Sequence, residues 1–402
     1  MSDEWRWWRY DHANTGCTPH AGPTGDVSCR WTYDAGYFVT GTPVIADAVV
    51  HAATQFPHDA KSNLHGIDVE SGTKRYSVPK DDPQVELRGS PTVLDGTAYV
   101  TMLDFPPLVR GYDVDTGERV REYDGSAPLS TEGVPPLAEG GMLYCLTDWT
   151  LSAVEIETGV VHWSFAPRES FYGAAALVGD TLYVGSSGLG DDELRTGDDD
   201  AKYARKQSPR LRALDARTGD IEWERALDIV PRTVAVADRR VFCCGPEPYS
   251  RYSVIESPVG LSDGGLPKYG GVHAFSSTGE LLWTVELDAQ IRSAPSVADG
   301  TVLVGTRDGE GTDAATLFAL DAETGARIWS REGDRHWTAA SVANGVVYAG
   351  NTGGYVEAQS LEDGSVLWRF ETEGGVYGPP SIAGGRLFVG DADGTVYALE
   401  EA

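Results

Sequence analysis

Few residues of this chain are spaced for chemistry. Cys243 and Cys244 are adjacent, a pairing that in principle allows a redox disulfide. Asp191-Asp192-Glu193 and Asp198-Asp199-Asp200 could offer oxygen ligands to calcium, but their spacing fits no EF-hand and suits a solvated acidic loop equally well. The eight His show no paired metal spacing, so zinc is not expected. No phosphate-binding loop, nucleophile elbow or Ser/His/Asp set stands out. What does recur is a column of residues at one point of a repeating unit: Thr40, Arg88, Glu132, Tyr172, Pro231, Arg292, Trp337 and Tyr377. The next column is mostly small: Gly41, Gly89, Gly133, Gly173, Arg232, Ser293, Thr338 and Gly378. Arg88, Arg232 and Arg292, with Glu132, Tyr172, His336, Trp337 and Tyr377, would suit an anionic or planar ligand at a concave mouth. They would equally suit a solvated rim paired to nearby carboxylates.

The elements that must position them come from the repeat itself. Its phrase is a small residue, an apolar residue, Asp, two residues, Thr-Gly, three residues and Trp. It is complete at Ala213–Trp223 and again from Ala319 to Trp329, with near copies ending at Trp163, Trp283 and Trp368. Its glycines, Gly72, Gly117, Gly159, Gly219, Gly279, Gly325 and Gly364, lie 45, 42, 60, 60, 46 and 39 residues apart. An eighth copy starts at Ala398-Leu399 and the sequence stops. Upstream of each phrase runs a small-residue strand, a Gly turn and an alternating apolar strand, as at Ala294–Gly305. Four short strands per unit, at these periods, predict propeller blades.

The fold expected is therefore all-β: one eight-bladed β-propeller over residues 1–402, with four-stranded antiparallel blades near 37–78, 86–124, 130–166, 171–225, 229–285, 290–331, 335–370 and 375–400. The last unit lacks its fourth strand. Ser28-Cys29-Arg30-Trp31-Thr32-Tyr33 has the Trp-x-aromatic form of Trp163-Ser164-Phe165, so residues 28–33 are expected to close blade 8. Long connections at Gln55–Asn63, Leu103–Leu108, Ser186–Ser208, Pro246–Gly270 and Arg307–Thr316 all fall between the second and third strands, on the face that carries the column.

The phrase resembles the tryptophan-docking repeat of the PQQ-like propellers, the quinoprotein and BamB-type family, and Tyr10-Asp11-His12-Ala13-Asn14-Thr15-Gly16 resembles the opening of their short members. That resemblance implies that Trp31, Trp163, Trp223, Trp283, Trp329 and Trp368 staple neighbouring blades, each packing near the next motif Gly. Arg75 or Tyr76, and Arg121, stand where two further Trp are expected, implying weaker docking there. The family holds both quinoprotein dehydrogenases, which use PQQ with calcium and an Asp base, and non-enzymatic scaffolds. In some of the enzymes adjacent cysteines form a disulfide against the cofactor. Here Cys243-Cys244 align with the end of a strand, which suits plain packing. The expectation is a non-enzymatic scaffold without cofactor, binding a protein partner or a small anionic or planar ligand. A PQQ-dependent oxidoreductase is the alternative.

Composition frames the setting. Sixty-one acidic residues face 32 basic ones, a net charge of −29, and only six of the bases are Lys. Such a surface argues against nucleic acid and anionic lipid as partners. It is similar to the surfaces of proteins from salt-loving archaea. The five cysteines make no disulfide framework, and the opening has neither a signal-peptide pattern nor a membrane-spanning run, so a cytoplasmic monomer is expected.

Overall fold

The computed structural model describes residues 4–55, 62–79, 86–103, 108–124, 134–147, 149–189, 207–248, 269–307 and 314–402. The described residues form eight antiparallel sheets of four main strands and no helix, arranged as the eight-bladed ring. Within a blade the strands run A to D from the axis outward. In blade 6 they are Ser296–Ala298, Thr301–Arg307, Ala314–Asp321 and Arg327–Asp334. The A–B turn there, Asp299-Gly300, has φ of +45° and +74°, which explains a glycine at that point. Cys243 and Cys244 lie in one B strand, Arg240–Pro246. Successive side chains of a strand leave opposite faces, so Cys243 packs toward blade 4 and Cys244 toward blade 6. Both are free thiols.

In blades 1, 2, 4 and 6 the C–D turn is tied by its first acid. The Asp321 carboxylate accepts from the Glu323 and Thr324 amides at 3.1 and 2.8 Å, and Asp68, Asp113 and Asp215 do the same in their blades. The neighbouring blade's D strand then docks on that turn. The indole N–H of Trp283 donates to Ala322 O at 3.1 Å, and its ring lies over Gly325. Trp163, Trp223 and Trp329 repeat this on Ala216, Ser277 and Leu361.

Of the two positions without Trp, blade 1 follows the sequence expectation and blade 2 differs. Tyr76 packs against Gly117 as a Trp would, but its hydroxyl pairs with His51 Nδ1 at 2.7 Å. In blade 2 the docking residue is Tyr123, not Arg121. It lies two residues further along, hence on the same strand face, and donates to Ile156 O at 2.6 Å.

The ring closes as the sequence indicates. Val27–Asp34 pairs antiparallel with Thr395–Glu401, Trp31 opposite Ala398, as strand D of blade 8. Trp31 then docks on blade 1 through Val69 O at 3.1 Å. Blade 8 has no continuous C–D turn to receive blade 7. Pro23 O takes its place, accepting from Trp368 Nε1 at 2.9 Å, while Ala402 N bonds Asp26 O beside it.

The segment before the closing strand does something the repeat could not announce. It runs around the inner rim at the A–B end. Trp5 exchanges backbone bonds with Ile45, and the carbonyls of Arg6, His12, Ala13, Thr15 and Gly16 accept from Val93, Leu177, Val236, Val297 and Val342. Those six residues hold the same register position in blades 1, 2, 4, 5, 6 and 7. Cys17–Thr18 adds a short parallel pairing with Val342 and Ala343. This end of the central channel is thereby capped.

Candidate functional site

Capping one end leaves the other, where D–A and B–C connections meet, as the mouth. The inner rim there is tight, and this explains the small-residue column. A Cβ on Gly378 would stand 2.5 Å from Gly41 O, and one on Gly173 would stand 2.3 Å from Thr233 N. Neighbouring A strands touch backbone to backbone at these points, and only glycine allows it.

The structure places the predicted mouth residues unevenly. Arg292 is exposed, Arg232, Tyr172 and His336 are partly exposed, and Tyr377 keeps 51% of its surface open. Arg88 sits in Glu86–Leu94, opposite Thr101. Glu132 lies outside the described residues, as do the acidic runs at 191–193 and 198–200. Trp337 does not line the mouth. It is 0% exposed, packed edge-on against Tyr355 with ring centroids 5.6 Å apart, and inserted beside Gly333. Its size and apolar character make it core once the rim turns it inward. The middle parts of the five long connections also fall outside the described residues. The one at 186–208 begins and ends as paired strand, with Leu189 opposite Gln207.

On the side of blades 5 to 7 the mouth residues converge. His336 faces Arg307 across an isolated antiparallel bridge, and Trp337 N bonds Thr306 O. Burial, with Arg292, Arg307 and Arg232 close by, pushes the His336 imidazole down to about 4, so it is neutral near pH 7. Arg232 N bonds Cys244 O, and the Cys244 thiol contacts Ser293 O at 3.4 Å beneath the cluster. Burial pushes that thiol up to about 12, which leaves it unreactive. Arg307 was not read as a site residue in the sequence. It ends strand B of blade 6, opposite Gln290, and its place next to the Arg292 turn was the available signal.

Below the cluster, the cap sends one cation into the ring. Arg9 is fully buried and its Nη2 donates to Ser296 Oγ at 2.5 Å and Ala340 O at 2.8 Å. Burial pulls it down to about 10, with nearby Asp11 opposing. Among the described residues, no three His, Cys, Asp or Glu side chains converge as metal ligands would.

A ring of eight four-stranded sheets, with the amino-terminal segment bonded across one end of its axis, defines a β-propeller. The chain belongs to the PQQ-like propeller family whose description is outer membrane protein assembly factor BamB, which matches residues 95–241, 255–341 and 313–402. It is 34% identical to BamB of Nitrosomonas eutropha, over 25% of this chain and 24% of that protein. It is 26% identical to a polyvinylalcohol dehydrogenase of a Pseudomonas species, over 94% of this chain and 63% of that one. The chain thus spans less than two thirds of the length of these relatives. Among solved structures it resembles quinohemoprotein alcohol dehydrogenase from Comamonas testosteroni (TM-score 0.74, 15% identity, all of this chain and 81% of that one). It also resembles BamB from Moraxella catarrhalis (TM-score 0.62, 16% identity, 94% and 98%). At those identities the likeness is one of fold.

Proposed function

We propose that this protein is a non-enzymatic propeller scaffold that holds a protein partner or a small ligand at its basic mouth. One observation carries the reading: His336 bridges Arg307 at the rim next to Arg292, at the end of the ring opposite the one bonded by residues 5–18. In a chain of net charge −29, a local positive island favours selective recognition. BamB-named relatives support a scaffold role, and the dehydrogenase relatives support the rival, a PQQ-dependent oxidoreductase. Two observations rank the rival second. Cys243 and Cys244 leave opposite faces of one strand, so they cannot form a cofactor-facing vicinal disulfide. The described residues also offer no cluster fit to hold calcium. Among the described residues, therefore, neither the cysteines nor the acidic side chains fit that cofactor pair. Free thiols throughout suit a reducing, cytoplasmic setting.

The test is to add PQQ and calcium to the full chain, follow absorbance, and then assay dye reduction with an alcohol. No saturable change is expected. Saturable binding with alcohol-dependent dye reduction would reverse the ranking. In parallel, Arg232→Ala with Arg292→Ala should lower capture of partner or ligand about tenfold, the scale of one or two charge-assisted bonds.

A further inference from the structure

The A–B turns do more than reverse the chain, because they are bonded to the places where neighbouring blades dock. In blade 7 the Gly345 carbonyl accepts from the Leu361 amide at 2.8 Å, and the Leu361 carbonyl accepts from the Trp329 indole of blade 6 at 2.8 Å. Blade 6 repeats the relay, with Gly300 O bonded to Ala322 N and Ala322 O receiving Trp283. Blades 1, 3, 4 and 5 do so through Val69, Ile156, Ala216 and Ser277. A change of backbone in an A–B turn is therefore felt at a blade interface.

Blades 1, 2, 5 and 6 begin this turn with Asp47, Asp95, Asp238 and Asp299, at φ of +52°, +47°, +47° and +45°. Blade 7 has an amide in the same place: Asn344 at φ +47°, followed by Gly345 at +76°. It is the chain's one Asn-Gly pair. Asn344 is exposed, and the Gly345 amide makes no backbone hydrogen bond among the described residues. The space beside it is open, with no atom within 4 Å of where a Cβ on Gly345 would stand. The other asparagines are placed differently. Asn14 and Asn351 are 3% and 0% exposed and each precedes a Thr, while Asn63 precedes Leu64 within Ser62–Asp68.

We propose that Asn344 is a site of spontaneous deamidation, and that its two products have opposite consequences for the dock between blades 6 and 7. Asparagine is a thermolabile residue, and an exposed turn opens more readily than the strands beside it. When it opens, the Gly345 nitrogen attacks Asn344 Cγ. The N–Cγ bond forms, the Cγ–Nδ2 bond breaks, and ammonia leaves with the proton from Gly345 N. Solvent water then opens the cyclic imide at one of its two C–N bonds. Cleavage at Cγ gives an aspartate with a normal backbone, the residue that the turns of blades 1, 2, 5 and 6 already carry. Cleavage at the main-chain carbonyl gives an isoaspartate, whose backbone is longer by one methylene. A two-residue turn does not absorb that length, so Gly345 O moves off Leu361 N and the Trp329 dock loosens. Asp95-Gly96 and Asp299-Gly300 share the geometry but carry a carboxylate, which at neutral pH offers no amine to leave, so they react far more slowly. The site lies at the end of the ring opposite the mouth and rests on none of the residues there.

The experiment is peptide mapping by mass spectrometry of the full chain held folded at 37 °C and pH 8, with the same chain in urea giving the intrinsic rate. In the folded chain the peptide with Asn344 is expected to deamidate while those with Asn14 and Asn351 stay intact. Gly345→Ala should slow the reaction at least about tenfold, because a Cβ shields the attacking nitrogen. The isoaspartate fraction, identified with an isoaspartate-specific methyltransferase, should exchange its Trp329 indole proton faster and melt about 2 °C lower, the scale of one or two lost bonds in a chain of this length. Asn344→Asp should melt as the unaged protein does. The proposal is overturned if Asn344 keeps its amide in the folded chain for about ten times its half-life in urea, or if Asn14 or Asn351 converts first. It is overturned equally if Asn344→Asp loosens the Trp329 dock as much as the isoaspartate does.

Discussion

At the residue scale, the docking tryptophans make a sharp prediction through their glycines. Gly325 and Gly300 share a φ of +74°, but a Cβ on Gly325 would meet Trp283 Cε3 at 2.8 Å, whereas one on Gly300 meets nothing within 4 Å. Gly300→Ala should cost about 1 kcal/mol from backbone alone, and Gly325→Ala at least about 2 kcal/mol more, measured by urea unfolding. Trp283→Phe keeps the ring contact and loses the bond to Ala322 O, a change of about 1 kcal/mol. Histidines govern the mild-acid range. His51 and His336 are both held near 4, below the unfolded value of about 6.5. Between those values the unfolded chain binds more protons, so stability falls as pH drops from 6.5 to 4. The urea midpoint should decline over that window, and His336→Gln should flatten part of the slope. Trp sites were legible because the repeat marks them by spacing. Trp337 was not, because its column continues the repeat while its ring turns away from the mouth, and orientation leaves no mark in sequence.

At the scale of elements, the C–D turns and the amino-terminal cap answer to different stresses. Bonds from the Ser71 amide and hydroxyl, and from Arg75, hold Asp68 down to about 2; the Thr116 amide and hydroxyl lower Asp113, the Arg217 and Thr218 amides lower Asp215, and the Thr324 hydroxyl and amide lower Asp321. That stabilisation is present above the unfolded carboxylate value and is lost as pH falls through the folded one, below the histidine window. The cap can be tested by truncation. Deleting residues 1–26 keeps the closing strand but removes the acceptors of six rim amides and of Trp368. At roughly 1 kcal/mol per bond, melting should drop by at least about 10 °C while the ring persists. Deleting residues 1–36 removes the closing strand too and should expose a sheet edge, giving aggregation or loss of cooperative melting. The closing strand could be read because it repeats the Trp-x-aromatic form. The cap could not, because its bonds run between backbone groups that any side chain could carry.

At the scale of the whole molecule, charge and topology dominate. A net charge of −29 opposes compaction, and salt screens that repulsion. Stability should rise with KCl into the molar range, and undiminished stability in dilute buffer would sink the halophile expectation. The ring itself was legible from the eight copies and the missing last strand. The arrangement at the mouth was only half legible: the two columns supplied Arg292 and Arg232 with His336 beside them, while Arg307 arrives from a different strand through the fold. The claim beneath all of this is that the start of the chain both completes blade 8 and bonds across the A–B end of the ring. Residue-resolved hydrogen exchange on the full chain tests it most directly. The amides of Leu177, Val236, Val297 and Val342, together with those of Thr395–Glu401 that pair with Val27–Asp34, should exchange as slowly as the blade cores. Exchange of these amides within minutes, alongside protected B and C strands, would contradict it.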